Sequence, residues 1–141
     1  MRILLPSDGS PASLHAARYV AEHSKGFPAS VLLLNVQRVY VDPEMVHAGR
    51  AILNLHRDEG EAALREAGEI LGKAGIDYEA QVGFGPVAEV IAHAAKEARC
   101  EAIVIGTRAR HPLVELITRS VPSRVLRRSQ LPVVLVKAKG R

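Results

Sequence analysis

Val31-Leu32-Leu33-Leu34-Asn35-Val36 is an apolar run with one polar interruption. A run nearly continuous in Val, Ile and Leu is the pattern of a parallel strand covered on both faces. Ile3-Leu4-Leu5 and Ala102-Ile103-Val104-Ile105 read the same way, and Tyr78 to Val82 and Pro132 to Val136 complete a set of five short strands.

The segments between them carry helical spacing. The first helix opens with Ser10 as N-cap and Pro11 at its first position, buries Leu14, Ala17, Val20 and Ala21, and runs to Lys25, where Gly26 stops it. A second helical region extends from about Pro43 to Ala74, ended by Gly75. Its latter half is fixed by Leu64, Ala67, Leu71 and Ala74 at three- and four-residue steps. The stretch Val41 to His56 is less regular and reads as a loop or a frayed turn. A third helix follows Gly85-Pro86 and turns Val87, Val90, Ile91, Ala94, Ala95 and Ala98 inward; a short fourth spans Ser120 to Arg128. Strand and helix alternate throughout, which predicts an α/β fold: an open five-stranded parallel sheet, doubly wound and Rossmann-like, with right-handed crossovers.

Composition bounds the rest. A chain of 141 residues fits one domain, residues 1–141, with no linker, low-complexity tract or internal repeat. Hydrophobic residues at 48% and charged residues at 24% exclude whole-chain disorder. A single cysteine, Cys100, excludes a disulfide framework and a multi-cysteine zinc site, and its place before a buried strand makes it a small core hydrophobe. No apolar run approaches the roughly 20 residues needed to span a bilayer. Asp8 interrupts the N-terminus before a signal peptide could form, so the expectation is a soluble cytoplasmic protein.

Charge is unevenly placed. Residues 106–141 hold nine Lys or Arg against one acid, Glu115, for +8; residues 1–105 hold ten basic and fourteen acidic residues, for −4; together they give the net +4. A basic third on an acidic body suggests a surface for a small anionic ligand, with helix-face solvation as the plain alternative. Nucleic acid is a poorer fit, because aromatics amount to only 4% and no recognised nucleic-acid motif is present.

Ligands in open parallel sheets bind beyond the carboxyl ends of strands, where the strand order reverses. The first strand runs into Pro6-Ser7-Asp8-Gly9-Ser10-Pro11. The fourth runs into Gly106-Thr107-Arg108-Ala109-Arg110-His111-Pro112 and then Arg119-Ser120-Val121-Pro122. In the common order 3-2-1-4-5 these strands are neighbours, and Asp8 faces the Gly106 loop across one crevice.

Over essentially its whole length the chain resembles the universal stress protein family. The resemblance is carried by Ile3-Leu4-Leu5-Pro6-Ser7-Asp8-Gly9-Ser10, Leu33-Leu34-Asn35-Val36, Ala102-Ile103-Val104-Ile105-Gly106-Thr107-Arg108 and Leu131-Pro132-Val133-Val134-Leu135-Val136-Lys137, in that order and spacing. It implies the same five-stranded sheet and a homodimer paired through the last strand, Val133 to Lys137. It also implies an adenine-nucleotide site, taking ATP (with magnesium) or another adenine nucleotide. Pro6, Ser7, Asp8 and Val36 would line the base pocket, and Gly106 and Thr107 would approach the ribose. Nucleotide-binding members carry G-x2-G-x9-G-[S/T] after the fourth strand. Here Gly106 fills the first position and Ser120 the last, but Ala109 and Arg119 occupy the other two glycine positions. Glycine there lets the backbone approach phosphate closely. Arg119 therefore either folds over the pocket and excludes triphosphate, or swings out and clamps phosphate together with Arg108 and Arg110. The helix starting at Ser120 and Val121 offers N–H groups to the same anion.

Other chemistries find less support. Asp8 lacks the second acid of a phosphotransferase site, and its plain reading is a turn residue accepting backbone N–H bonds. No G-x-S-x-G elbow is present. The six histidines form neither H-x-H nor H-E-x-x-H, so no metal site is expected. Three functions follow, in order: a homodimeric binding or regulatory module for stress response, a slow ATPase or nucleotide-dependent transferase, and a nucleotide-free protein-interaction dimer.

Overall fold

The computed structural model describes residues 1–25, 29–39, 46–108 and 120–138. Strand β1 (Arg2–Pro6) leads into helix α1 (Pro11–His23), β2 (Ser30–Gln37), α2 (Val46–Lys73) and β3 (Asp77–Phe84). These are followed by α3 (Val87–Glu97), β4 (Ala102–Thr107), α4 (Val121–Arg128) and β5 (Val133–Lys137). The five strands form one all-parallel sheet in the order β3-β2-β1-β4-β5, as the sequence predicts.

Both faces of the central strands are buried, and successive residues divide between two cores. Leu5, Val31, Leu33 and Val104 pack with Ala17 and Val20 of α1 and Leu64, Ala67 and Leu71 of α2. Leu4, Leu32, Leu34, Ile103 and Ile105 pack on the other side with Ile91 and Ala95 of α3 and Val125 of α4. Period-two alternation sends every second side chain to the opposite face, so strands buried on both sides have no polar positions to spare. Cys100 lies in the second core, 5% exposed. Burial pushes its thiol up, an effect Arg2 partly offsets, so it behaves as the expected core hydrophobe.

Several boundaries differ from the sequence reading; β4, for one, continues past Ile105 to Thr107. Helix α1 stops at His23, with Ser24 as its cap, before Lys25; Gly26 lies outside the described residues. The irregular stretch is helical from Val46 onward, while 41–45 lie outside the described residues. Ile52 and Leu55 stay exposed there, so these two apolar side chains do not hold this half. It is carried as a continuation of the packed half, because adding a residue to an existing helix costs far less than nucleating one. β3 is longer than Tyr78–Val82, since its ladder with β2 continues to Gln37↔Phe84. Gly75 does end α2: at φ +73° it lets the Ile76 N–H reach back to the Leu71 carbonyl at 3.0 Å.

Candidate functional site: a cleft where the strand order reverses

The cleft begins with how β1 ends. Pro6 closes the strand, and the Ser7 N–H donates to the Leu34 carbonyl at 2.8 Å, so the chain leaves the sheet still tied to β2. Gly9 at φ +79° turns it toward α1. The Asp8 carboxylate accepts the Ser10 N–H at 2.9 Å, the plain turn role anticipated for it. Ser10 caps α1 by accepting the Ser13 N–H at 3.3 Å. The Ser7 hydroxyl donates to the buried Ser13 hydroxyl at 3.0 Å, which in turn donates to the Ser10 carbonyl at 2.9 Å. Partial burial pushes the Asp8 carboxyl upward. Hydrogen bonds from Ser10 and Ser13 outweigh it, and the carboxyl is held below its ordinary value.

From β2, Asn35 is 3% exposed and donates its side-chain N–H to the Ser7 carbonyl at 2.9 Å. Gln37 donates to the Asn35 side-chain oxygen at 2.7 Å. A polar network inside the sheet thus fixes the loop that carries Asp8.

From β4, Gly106 stands where α1 crosses closest. A Cβ there would collide with the Ala12 carbonyl group and come within 3.1 Å of the Ser13 nitrogen. Its glycine is thus required by helix-on-strand packing as well as by any ligand. From α4, Ser120 is the N-cap: its hydroxyl accepts the Ser123 N–H at 3.4 Å, and the Ser123 hydroxyl donates to its carbonyl at 3.2 Å. Pro122 has no N–H. The helix start therefore offers fewer donors than the sequence reading supposed, with the Val121 N–H left over by both cap and ladder.

Together these elements enclose a cavity of about 360 Å³, within the size range of small-molecule sites. Leu34, Val36, Val87, Ile91, Ile105 and Val121 supply apolar walls; Ser7, Asp8, Ser10, Ser13, Asn35 and Arg38 supply polar groups. Of the residues singled out in sequence, Pro6, Ser7, Asp8, Val36, Gly106 and Val121 line this cavity. Thr107, Arg108 and Ser120 adjoin it without lining it. Ala109 and Arg119 lie outside the described residues, as do Arg110 and His111. Sequence reasoning passed over Ser13, Asn35 and Arg38. Asn35 was detectable as the single polar residue in an apolar run, and Ser13 as the third residue after an N-cap.

A broader trough of about 590 Å³ lies between β3 and α3, bordered by Arg2, Glu79, Gln81, Glu89, His93 and Glu97 over Leu32 and Leu34. It flanks an edge strand away from the β1/β4 reversal, and Arg2 and Glu79 already pair across it at 3.0 Å. Among the described residues no three His, Cys, Asp or Glu side chains converge to hold a metal, and no helix is long and apolar enough to cross a membrane.

A family model described as the universal stress protein family matches residues 1–137. The universal stress protein MJ0531 of Methanocaldococcus jannaschii is 29% identical over 138 residues, 96% of this chain and 81% of that one. Among solved structures, a universal stress protein family member from Burkholderia pseudomallei is 25% identical, with TM-score 0.74 over 97% of this chain and 96% of that one. Two more distant structures share the fold. One is a universal stress protein in complex with cAMP (22% identity, TM-score 0.73, 99% of this chain and 98% of that one). The other is a family protein from Arabidopsis thaliana with AMP bound (21% identity, TM-score 0.73, 99% and 92%).

Proposed function

The chain belongs to the universal stress protein family, and we propose that its cleft binds an adenine nucleotide, as a cytoplasmic binding and regulatory module in stress response rather than a catalyst. The observation carrying this reading is the cleft's position and lining: apolar walls and one ionised carboxylate at the β1/β4 reversal, with an arginine at the mouth. Relatives of the same fold bind cAMP and AMP. The apolar walls suit the faces of a purine. Asp8 accepts the Ser10 N–H and is hydrogen-bonded by the Ser10 and Ser13 side chains, and a carboxylate's two oxygens can still accept from an exocyclic amine or a ribose hydroxyl. Arg38 favours the phosphate end. A magnesium ion carried by a triphosphate would find Asp8 as its neighbouring carboxylate; magnesium commonly takes one or two carboxylates plus phosphate oxygens and waters.

The protein would act as a homodimer through β5. That edge exposes Val134 and Leu135 at 38% and 43%, together with unpaired strand backbone, a combination that invites pairing with a second copy. Leu135→Lys is expected to give monomers in sedimentation, with wild type at twice the mass.

Isothermal titration with AMP, ADP and ATP tests the nucleotide reading. Measurable binding that weakens in Asp8→Ala supports it, and no binding by any of the three refutes it. Weakening of ATP binding in Arg119→Ala identifies a clamp, whereas ATP binding that appears only in Ala109→Gly with Arg119→Gly identifies an occluded pocket. Turnover of ATP well above background, abolished in Asp8→Ala, would make the protein an enzyme instead.

A further inference from the structure

A second cavity, of about 480 Å³, opens beside the cleft and shares Arg38, Val87 and Val121 with it. Its remaining lining is dominated by Arg124, Arg127 and Arg128 of α4. The spacing i, i+3, i+4 sets these three on one side of the helix, and Arg38, the residue after β2, lines the same cavity. Among the described residues Glu89 is the one acid in the lining, and it pairs with Arg128 at 2.9 Å. No carboxylate among the described residues pairs with Arg38 or Arg124. The cavity lies over the first turn of α3, whose N-cap, Pro86, makes no side-chain capping bond. Like charges at i, i+3 and i+4 on one helix repel, and helix-face solvation would be better served by arginines spread apart. Guanidinium groups present planar pairs of donors that match phosphate oxygens, and here several converge on one concave space.

We propose that this cavity, which borders the start of α4 at Val121, is a phosphoryl-binding subsite built on arginine side chains, taking a phosphate group of a ligand whose nucleoside occupies the neighbouring cleft. With Pro122 lacking an N–H and the Ser123 N–H taken by the Ser120 cap, the first turn of α4 keeps the Val121 N–H, and arginine side chains supply the further anion donors. That both groups belong to one ligand rests on the nucleotide reading of the cleft; the anion subsite itself does not. The ligand class is then an adenine nucleotide bearing a second, separately placed phosphate, with a free polyphosphate anion as the other source of the same chemistry.

The test titrates wild type and an Arg124→Gln/Arg127→Gln variant at low salt, where screening is weak, with three probes: inorganic pyrophosphate, AMP and adenosine 3′,5′-bisphosphate. Both substitutions are at exposed helix positions, and unchanged circular dichroism confirms the fold. The expected result is that the variant leaves AMP affinity within twofold. It should weaken pyrophosphate at least tenfold, or erase a tenfold preference for the bisphosphate over AMP. Loss of the bisphosphate preference identifies a single ligand; loss of pyrophosphate binding alone identifies a free anion. If AMP fails to bind while pyrophosphate binding still depends on the two arginines, the cleft reading falls and the subsite stands. Pyrophosphate displaced one-for-one by AMP, or affinities for all three probes unchanged in the variant, would overturn the subsite.

Discussion

Replacing Gly106 with alanine separates two reasons for a glycine at the end of β4. Among the described residues the glycines with positive φ are Gly9, Gly75 and Gly85 and not Gly106, so alanine fits its backbone. The added Cβ meets instead the Ala12 carbonyl carbon at 2.6 Å and the Ser13 nitrogen at 3.1 Å. These are backbone atoms of α1, fixed by the Ser10 cap, and no rotamer change relieves the contact. Overpacking of this kind costs about 1–3 kcal/mol, offset by about 0.4–1 kcal/mol from the stiffer unfolded chain. Taking the upper end of the overpacking cost, because the contact is with fixed backbone, the net loss is about 2–2.6 kcal/mol. With an unfolding entropy of about 2.1 cal/mol/K per residue, that lowers the midpoint by roughly 7–9 °C in a chain of 141 residues. Scanning calorimetry on Gly106→Ala measures this, with Gly68→Ala as control. At Gly68 the added Cβ meets the Tyr78 hydroxyl at 2.7 Å, but that is the far end of a half-exposed side chain that can swing away. The control should stay within about 0.5 kcal/mol of wild type, helped by alanine's helix propensity. A Gly106→Ala protein as stable as wild type would show that α1 does not press on β4, and the packing argument for this glycine would fail.

Three further outcomes follow from the same geometry. Asn35→Leu removes the donor to the Ser7 carbonyl and should cost about 1–3 kcal/mol in urea unfolding by leaving a buried acceptor unpaired; an unchanged midpoint would show the network to be dispensable. The Asp8 carboxyl is held below its ordinary value when folded. Its contribution is therefore complete above the unfolded pKa and lost as pH falls through the folded one. Wild type should lose stability more steeply than Asp8→Asn as pH drops below about 4, the ordinary range for this group, and parallel curves would refute that assignment. Arg99 ends α3 at φ 55°, a conformation costing a non-glycine residue about 1–2 kcal/mol. Arg99→Gly should raise the melting midpoint slightly, and a lowered midpoint would mean its side chain contributes more than its backbone strain takes away.

The sheet was legible because burial on both faces leaves an unbroken apolar signature. Ile3–Leu5, Val31–Leu34 and Ile103–Ile105 divide residue by residue between two cores. The N-half of α2 was not legible, since Ile52 and Leu55 face solvent and helix continuation leaves no periodic trace. In the cleft, the Asp8 loop was readable from its turn residues. Arg38 was not, because a charged residue after a strand looks the same whether it meets solvent or lines two cavities. Gly106 was noticed for its nearness to a ligand. Its contact with Ala12 depends on a helix almost a hundred residues earlier in the chain, which no local pattern encodes.

The most direct test is a backbone-amide NMR titration with AMP. Nucleotide binding at the β1/β4 reversal should shift Ser7, Asp8, Val36, Gly106 and Val121 together, saturating with one affinity. Shifts confined to Glu79, Gln81 and His93 along the β3–α3 trough, with the Asp8 loop silent, would contradict it.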